Sequence, residues 1–250
     1  MSSAIVRLYA CCLLAFFLKV VPLDAGEEAR ELPPKLADLI PKELRVTVRE
    51  IPDEKNSFID LQRAGALCNK LATWEDTIEF QKAFDENRAL PDLEMQARLT
   101  AWFKANDESL RVLKTALANN DLVIPGPSSL AESRLKLSSL REQGRLLLSK
   151  TRWHLLHKEF AEAADTAVTC TSLGDLLLRT DCSLLEHLLA TAILDTGLQA
   201  MQAIAAFPGV DDTSLQACLS RAIALADPKQ RVVKCLCVEF DRFFVKPILN

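Results

Sequence analysis

The sequence predicts an all-α protein, a helical bundle or short α-solenoid of six to eight helices that follows an N-terminal apolar leader. Three observations predict it. Beyond Pro52 the apolar residues recur at spacings of three and four, the period of a helix with one buried face. Leu, Ala, Glu, Lys and Arg dominate, and these are the strongest helix formers. Seven glycines and eleven prolines in 250 residues are too few for a sandwich or barrel, which turns every 8–12 residues or so. Apolar residues make up 49% of the chain, enough for a core.

The leader comes first. Arg7 precedes an unbroken apolar run from Leu8 to Leu18 (LYACCLLAFFL), which Lys19 closes. A run of this length suits the h-region of a signal peptide, whereas a membrane span needs roughly 20 residues. Pro22 ends it, and Ala25-Gly26 offers small residues for cleavage, with Leu23 where a small residue is preferred. The competing reading is a retained anchor from Ile5 to Val21, with Arg7 and Lys19 reaching the two interfaces. Residues 1–25 are therefore expected to be a signal peptide or membrane anchor. The protein is then exported to the periplasm or cell envelope, or held at the inner membrane by this segment. Cys11 and Cys12 lie inside the apolar run, so a lipid attachment site after it is not expected.

Residues 26–52 read as a linker interrupted by Pro33, Pro34, Pro41 and Pro52. Within it, Leu44–Ile51 (LRVTVREI) alternates apolar and polar and suits a short extended segment. Residues 53–250 are expected to form a single helical domain. Phe58, Leu61, Ala64, Cys68 and Leu71 mark its first helix. Thr73 with Asp76 resembles a capping box for the second, which carries Ile78 and Phe84. After Pro91 the spacing predicts one long helix, with Leu99, Trp102, Leu110, Leu113 and Leu117 inward, ending at Asn119-Asn120-Asp121.

Pro125-Gly126-Pro127 forces a loop. Ser129 and Glu132 form a capping box for a long helix striped by Leu137, Leu140, Gly144, Leu147 and Thr151, with Gly144 placed for close packing. The next helix starts near Glu159, and Phe160, Ala163, Ala167 and Cys170 repeat at spacings of 3, 4 and 3. That spacing also occurs in the second helix of a tetratricopeptide hairpin, but no 34-residue period recurs and ordinary helix packing explains the alanines. Ser183–Ala206 is the most apolar helix, stopped by Phe207-Pro208-Gly209. Two shorter helices close the chain, turning at Asp227-Pro228.

Few residues suggest chemistry. His154 and His157 stand three apart on one helix, and a metal site there would need His187 from another. The alternative is that they are polar residues near a helix end. No His-Glu-x-x-His, Gly-x-Ser-x-Gly, P-loop, Gly-x-Gly-x-x-Gly or kinase-type motif occurs, and no cofactor is expected. His187, Thr191, Asp195, Gln199 and Gln202 form one polar stripe down the apolar helix. The stripe is either a narrow solvated face or the lining of a groove. Cys218 and Cys235 flank the Asp227-Pro228 turn at equal distance, so an antiparallel pair of helices would bring them level. In that seam Leu215, Leu219, Ala222 and Ala226 would face Val232, Leu236, Phe240 and Phe243. In an oxidising compartment the two cysteines are a disulfide candidate; otherwise they are small apolar residues in the seam.

The charge is mildly acidic, 30 Lys+Arg against 34 Asp+Glu for a net −4. Removing the leader takes away Arg7, Lys19 and Asp24 and leaves the remainder slightly more acidic. No Lys/Arg cluster stands out, so nucleic acid is not an expected partner. The only tyrosine, Tyr9, is in the leader.

The leader, the IPDEKN stretch before the first helix, and the pair HKEFAEAADTAVTCTSLGDLLLR and LLEHLLATAILDTGLQAMQAI together resemble a loose group of exported helical proteins of environmental bacteria. The likeness spans most of residues 50–245 and rests on helix pattern and small-residue placement. That group has no established activity, so the resemblance implies only a helical fold and an exported location. Its members often continue further than Asn250. The expected function is a non-catalytic interaction or scaffold module with a protein partner, touching the membrane only through the N-terminal segment. The alternative is a helical-bundle hydrolase or metal-dependent enzyme using His154, His157 and His187.

Overall fold

A computed structural model describes residues 56–69, 74–119, 122, 130–180 and 184–225. Among these residues the chain is all-α, with eight helices and no strand. In order they are α1 (Ser57–Leu67), α2 (Trp74–Asn87), α3 (Leu93–Ala105), α4 (Asp107–Asn119), α5 (Leu130–Leu156), α6 (Phe160–Leu178), α7 (Leu184–Ala205) and α8 (Asp212–Ile223). The leader (1–25), the linker (26–52), the Leu44–Ile51 segment and everything after Leu225 lie outside the described residues.

Local chemistry sets the ends of these helices. The first backbone N–H groups of a helix have no partner within it, and short polar side chains supply one. Asn56 accepts from the Phe58 amide at 3.1 Å to open α1, and Asp92 accepts from Met95 at 2.8 Å to open α3. Asp211 opens α8 by accepting from both the amide and the hydroxyl of Ser214, and these bonds hold its carboxyl below the usual range. Two helices close through left-handed residues. Arg88 (φ 46°) follows α2 and Lys158 (φ 61°) follows α5, where the Glu159 amide returns to the His154 carbonyl at 2.9 Å.

Two expectations are corrected here. The first helix stops at Leu67 and Cys68 is its C-cap, although Cys68 still packs against the core as the spacing predicts; Leu71 lies outside the described residues. The long helix after Pro91 is two helices, α3 and α4, broken at Asn106. The Asn106 side chain is fully buried and engaged outside helical geometry: its oxygen accepts from the Asn69 amide at 2.7 Å. Its amide nitrogen donates to the carbonyls of Asn69 and Trp102. Latching α1's exit in this way outweighs continuing a straight helix. In α8, Leu215 and Ala222 pack against the core and Leu219 is 52% exposed; the expected seam with Val232, Leu236, Phe240 and Phe243 falls outside the described residues.

Packing centres on α6. It lies against α5 and α7, its neighbours in sequence, and also against α4 and α8. α1 pairs with α4 and α5, so contacts skip along the chain. Two clusters form the interior. The larger joins Phe58, Phe80, Leu99, Leu113, Leu147, Leu173 and Ile193 across α1–α7. The smaller gathers Phe84, Leu155, Ala167, Ile204 and Cys218 at the other end of α5–α7. The described residues belong to one compact unit.

The closest approach is between α6 and α7. A methyl group at Gly174 would sit 2.5 Å from the Leu194 amide nitrogen, and one at Gly197 would sit 2.6 Å from that of Thr171. Glycine is required at both points because backbone faces backbone. Gly144, expected to allow close packing, faces Ile193 at an ordinary 3.4 Å. Residues Leu185–Ala205 of α7 are long and apolar enough to cross a membrane by length and composition alone, and a third of that window is buried within the protein.

Candidate functional site

The three histidines do not come together. His154 and His157 lie at the end of α5 and are committed locally. His154 Nδ1 is 2.6 Å from a Glu159 carboxylate oxygen, and His157 Nδ1 is 2.9 Å from the Trp153 carbonyl. A carbonyl can only accept, so Nδ1 of His157 carries the proton in that contact. The His157 ring also packs on the Trp153 indole at 4.2 Å. His187 is buried near the start of α7, 4% exposed, and its Nδ1 has no hydrogen-bond partner. Among the described residues no three His, Cys, Asp or Glu side chains group as a metal-binding set.

The stripe on α7 is divided by this burial. His187 turns inward, whereas Thr191, Asp195, Gln199 and Gln202 are exposed. Gln199 donates to Asp195 at 2.8 Å and Thr191 donates to the His187 carbonyl at 2.8 Å, so the exposed members bond to each other and to their own helix. Cys170 and Cys218 are buried free thiols. Cys235 lies outside the described residues, and the proposed pairing with Cys218 falls there.

A different stripe does line a groove. On α6, Asp165, Thr169, Ser172, Asp175 and Arg179 follow one another at spacings of 4, 3, 3 and 4. They form the floor between α4 and α8 of a surface groove of about 270 Å³. Leu117 of α4 and Val168 and Leu176 of α6 give the middle of the groove an apolar lining. At one end Lys114 of α4 pairs with Asp165, both more than half exposed. At the other end Asp175 is 2% exposed, and a buried carboxylate must be compensated. It is held by two guanidiniums, Arg179 from its own helix at 2.6 Å and Arg221 from α8 at 2.8 Å, both reaching the same carboxylate oxygen.

At this end of the groove two guanidiniums therefore meet one buried carboxylate. Each guanidinium has five N–H donors in a planar fork. The Nε of Arg221 is buried with no acceptor, and Arg179 keeps about half of its side chain in solvent. Chemically, the solvent-facing part of the Arg179 guanidinium offers donors to a polar group entering the groove.

The α6 stripe was present in the sequence as a polar spacing inside an otherwise apolar helix, no weaker than the one on α7. What the sequence did not contain was its partners, Lys114 about fifty residues before and Arg221 about forty after, which only the fold brings to it. No family model, no curated protein and no solved structure matches the chain.

Proposed function

We propose that the chain is a non-catalytic interaction module, a helical bundle around α6 that meets a protein partner outside the cytoplasmic membrane. Its N-terminal apolar segment either directs its export or anchors it. One observation carries the interaction reading: a groove open on the surface, walled by three helices, with the half-exposed guanidinium of Arg179 at one end. Concave sites with a few convergent polar groups are where proteins hold ligands and partner side chains. The bundle, and not a solenoid, is supported by α1 packing against α4 and α5, three and four helices further along the chain. The location rests on the apolar run Leu8–Leu18 and its flanking charges. A hydrolase or metal-dependent enzyme built on His154, His157 and His187 has no convergence of those side chains to rest on.

Two measurements test this proposal. A photo-reactive residue at Ala118, on the groove, should cross-link a discrete protein in cells, and one at the exposed Leu93 should not. Equal labelling from both positions would overturn the interaction site. N-terminal sequencing of exported material should begin near Gly26, or the intact leader should stay with the membrane. Met1 on protein in the soluble cytoplasm would overturn the location.

A further inference from the structure

The smaller interior cluster is open along one edge. Of α8 only Ser214 and Cys218 are buried, and Cys218 packs in that cluster with Ala163, Ala167 and Ile204 of α6 and α7. Phe207, Val210 and Leu215 are half-buried at its rim. Four and eight residues beyond Leu215 stand Leu219 and Ile223, 52% and 75% exposed. Residues four apart share one side of a helix, so the three form an apolar strip. Arg221, two residues after Leu219, lies on the other side of α8 and lines the groove, so the strip is a separate surface.

We infer that this strip is covered by the chain's own carboxyl-terminal segment, residues 229–245, folded back against α8 as an antiparallel helix. The first argument is where the chain goes. It leaves α8 at Leu225, which packs on the larger cluster, with residues 226–250 still to come. Residues 224–228 make a connection of the length usual between antiparallel helices, and Pro228 suits a first turn that Asp227 caps. A helix over 229–245 would be about 25 Å long and α8 is about 18 Å, so the segment passes the whole strip and reaches the rim at Val210.

Register is the second argument. A reversal centred on Asp227-Pro228 sets Val232 level with Ile223, Leu236 with Leu219 and Phe240 with Leu215. Every apolar residue of the strip then meets an apolar residue of the segment, and Phe243 continues the face towards Val210. Charge is the third. Lys229 and Arg231 fall beside the carbonyl end of α8, and Arg242 falls beside Asp211 and Asp212 at its amide end.

Hydrogen exchange of the full chain, read by mass spectrometry, tests this. Amides of residues 232–244 should exchange slowly. Leu219→Glu with Ile223→Glu puts two carboxylates under the apolar face and should speed them about ten-fold or more, while α6 and α7 keep their rates. Leu93→Glu, at an exposed leucine of α3, should change them by less than about two-fold. Val232→Glu with Leu236→Glu should release the segment as well. That pair leaves the inward face of α8 untouched, so it decides the matter if the first pair disturbs folding. Random-coil exchange of 232–244 in the unaltered chain overturns the inference, as does slow exchange that survives the substitutions. Protection that grows with protein concentration assigns the strip to a second copy and overturns it too. A disulfide between Cys218 and Cys235 in unreduced protein would draw the segment over Cys218 and overturn the assignment to Leu219 and Ile223.

Discussion

Gly174 on α6 and Gly197 on α7 are reciprocal: each faces the backbone of the helix that carries the other, one helical turn apart. The two hydrogens at these positions set how closely the central helices approach. Cys170, one turn before Gly174, packs in the same layer with its sulfur 3.7 Å from the Ile193 carbonyl and 3.9 Å from that of Gly144. At that level α5, α6 and α7 touch.

Gly174→Ala should destabilise the protein in spite of the better helix propensity of alanine. The propensity gain is about 1 kcal/mol, and overpacking costs about 1–3 kcal/mol when the opposing atoms are backbone and cannot rotate away. Denaturant unfolding should show a net loss for either single variant. The double variant with Gly197→Ala should lose less than the sum, because helices parted by the first methyl group already admit the second. Full additivity would mean that the two contacts are independent.

Asn106→Ala should cost on the order of 2 kcal/mol or more, measured by chemical denaturation. It strands the Asn69 amide, which the Asn106 oxygen accepts at 2.7 Å, in a part-buried position. The Asn69 carbonyl keeps its bond from the Trp102 indole at 2.6 Å. The loss should therefore fall short of that expected if both groups were orphaned. A change below about 0.5 kcal/mol, the range of ordinary surface substitutions, would show that the latch does not hold α1 to the α3–α4 junction.

Stability should fall at alkaline pH. Burial pushes the Cys170 thiol up to about 12, and burial raises the Cys218 thiol as well. In the unfolded chain a thiol ionises near roughly 8.5. Below that pH both states hold the proton and stability is unaffected. Between there and about 12 only the unfolded state releases it, so each pH unit removes about 1.4 kcal/mol through Cys170. Urea melts from pH 8 to 11 should show this decline, and Cys170→Ala should flatten it. A slope unchanged in Cys170→Ala would assign the decline to other groups.

Asp195→Leu should shift stability by less than about 0.5 kcal/mol, since Asp195 is exposed and bonds only to the exposed Gln199. A loss above roughly 2 kcal/mol in a thermal or urea melt would show that the carboxylate has a buried partner.

Much of the helical layout was legible in the sequence, and its limits have physical causes. In α5 the stripe Leu140, Gly144, Leu147 and Thr151 is buried, because this stretch packs against α1, α6 and α7 and keeps one helical period. The Phe207-Pro208-Gly209 stop also marks where α7 ends. The break at Asn106 was hidden because Leu99, Trp102, Leu110 and Leu113 keep helical spacing across it, although Asp107 and Glu108 already marked a new first turn. Spacing alone places His187 in one polar stripe with Thr191, Asp195, Gln199 and Gln202. At the start of α7 both Glu186 and His187 are buried, and spacing does not show where a packed face begins. The groove was out of reach for a simpler reason. Two of its charged residues, Lys114 and Arg221, come from helices separated from α6 by long stretches of chain.

The order of contacts along the chain has a consequence for how the protein is made. α6 meets α7 and then α8 as each is completed, so the carboxyl-terminal half can assemble nearly as fast as it is delivered. α1 has no such neighbour. Its partner α4 begins forty residues after Leu67, and α5 lies further still. A chain produced amino terminus first therefore carries the apolar face of Phe58, Leu61 and Ala64 uncovered through the synthesis of α2 and α3. That interval is when a chaperone has most to hold, and slowing elongation within residues 74–105 should lengthen it.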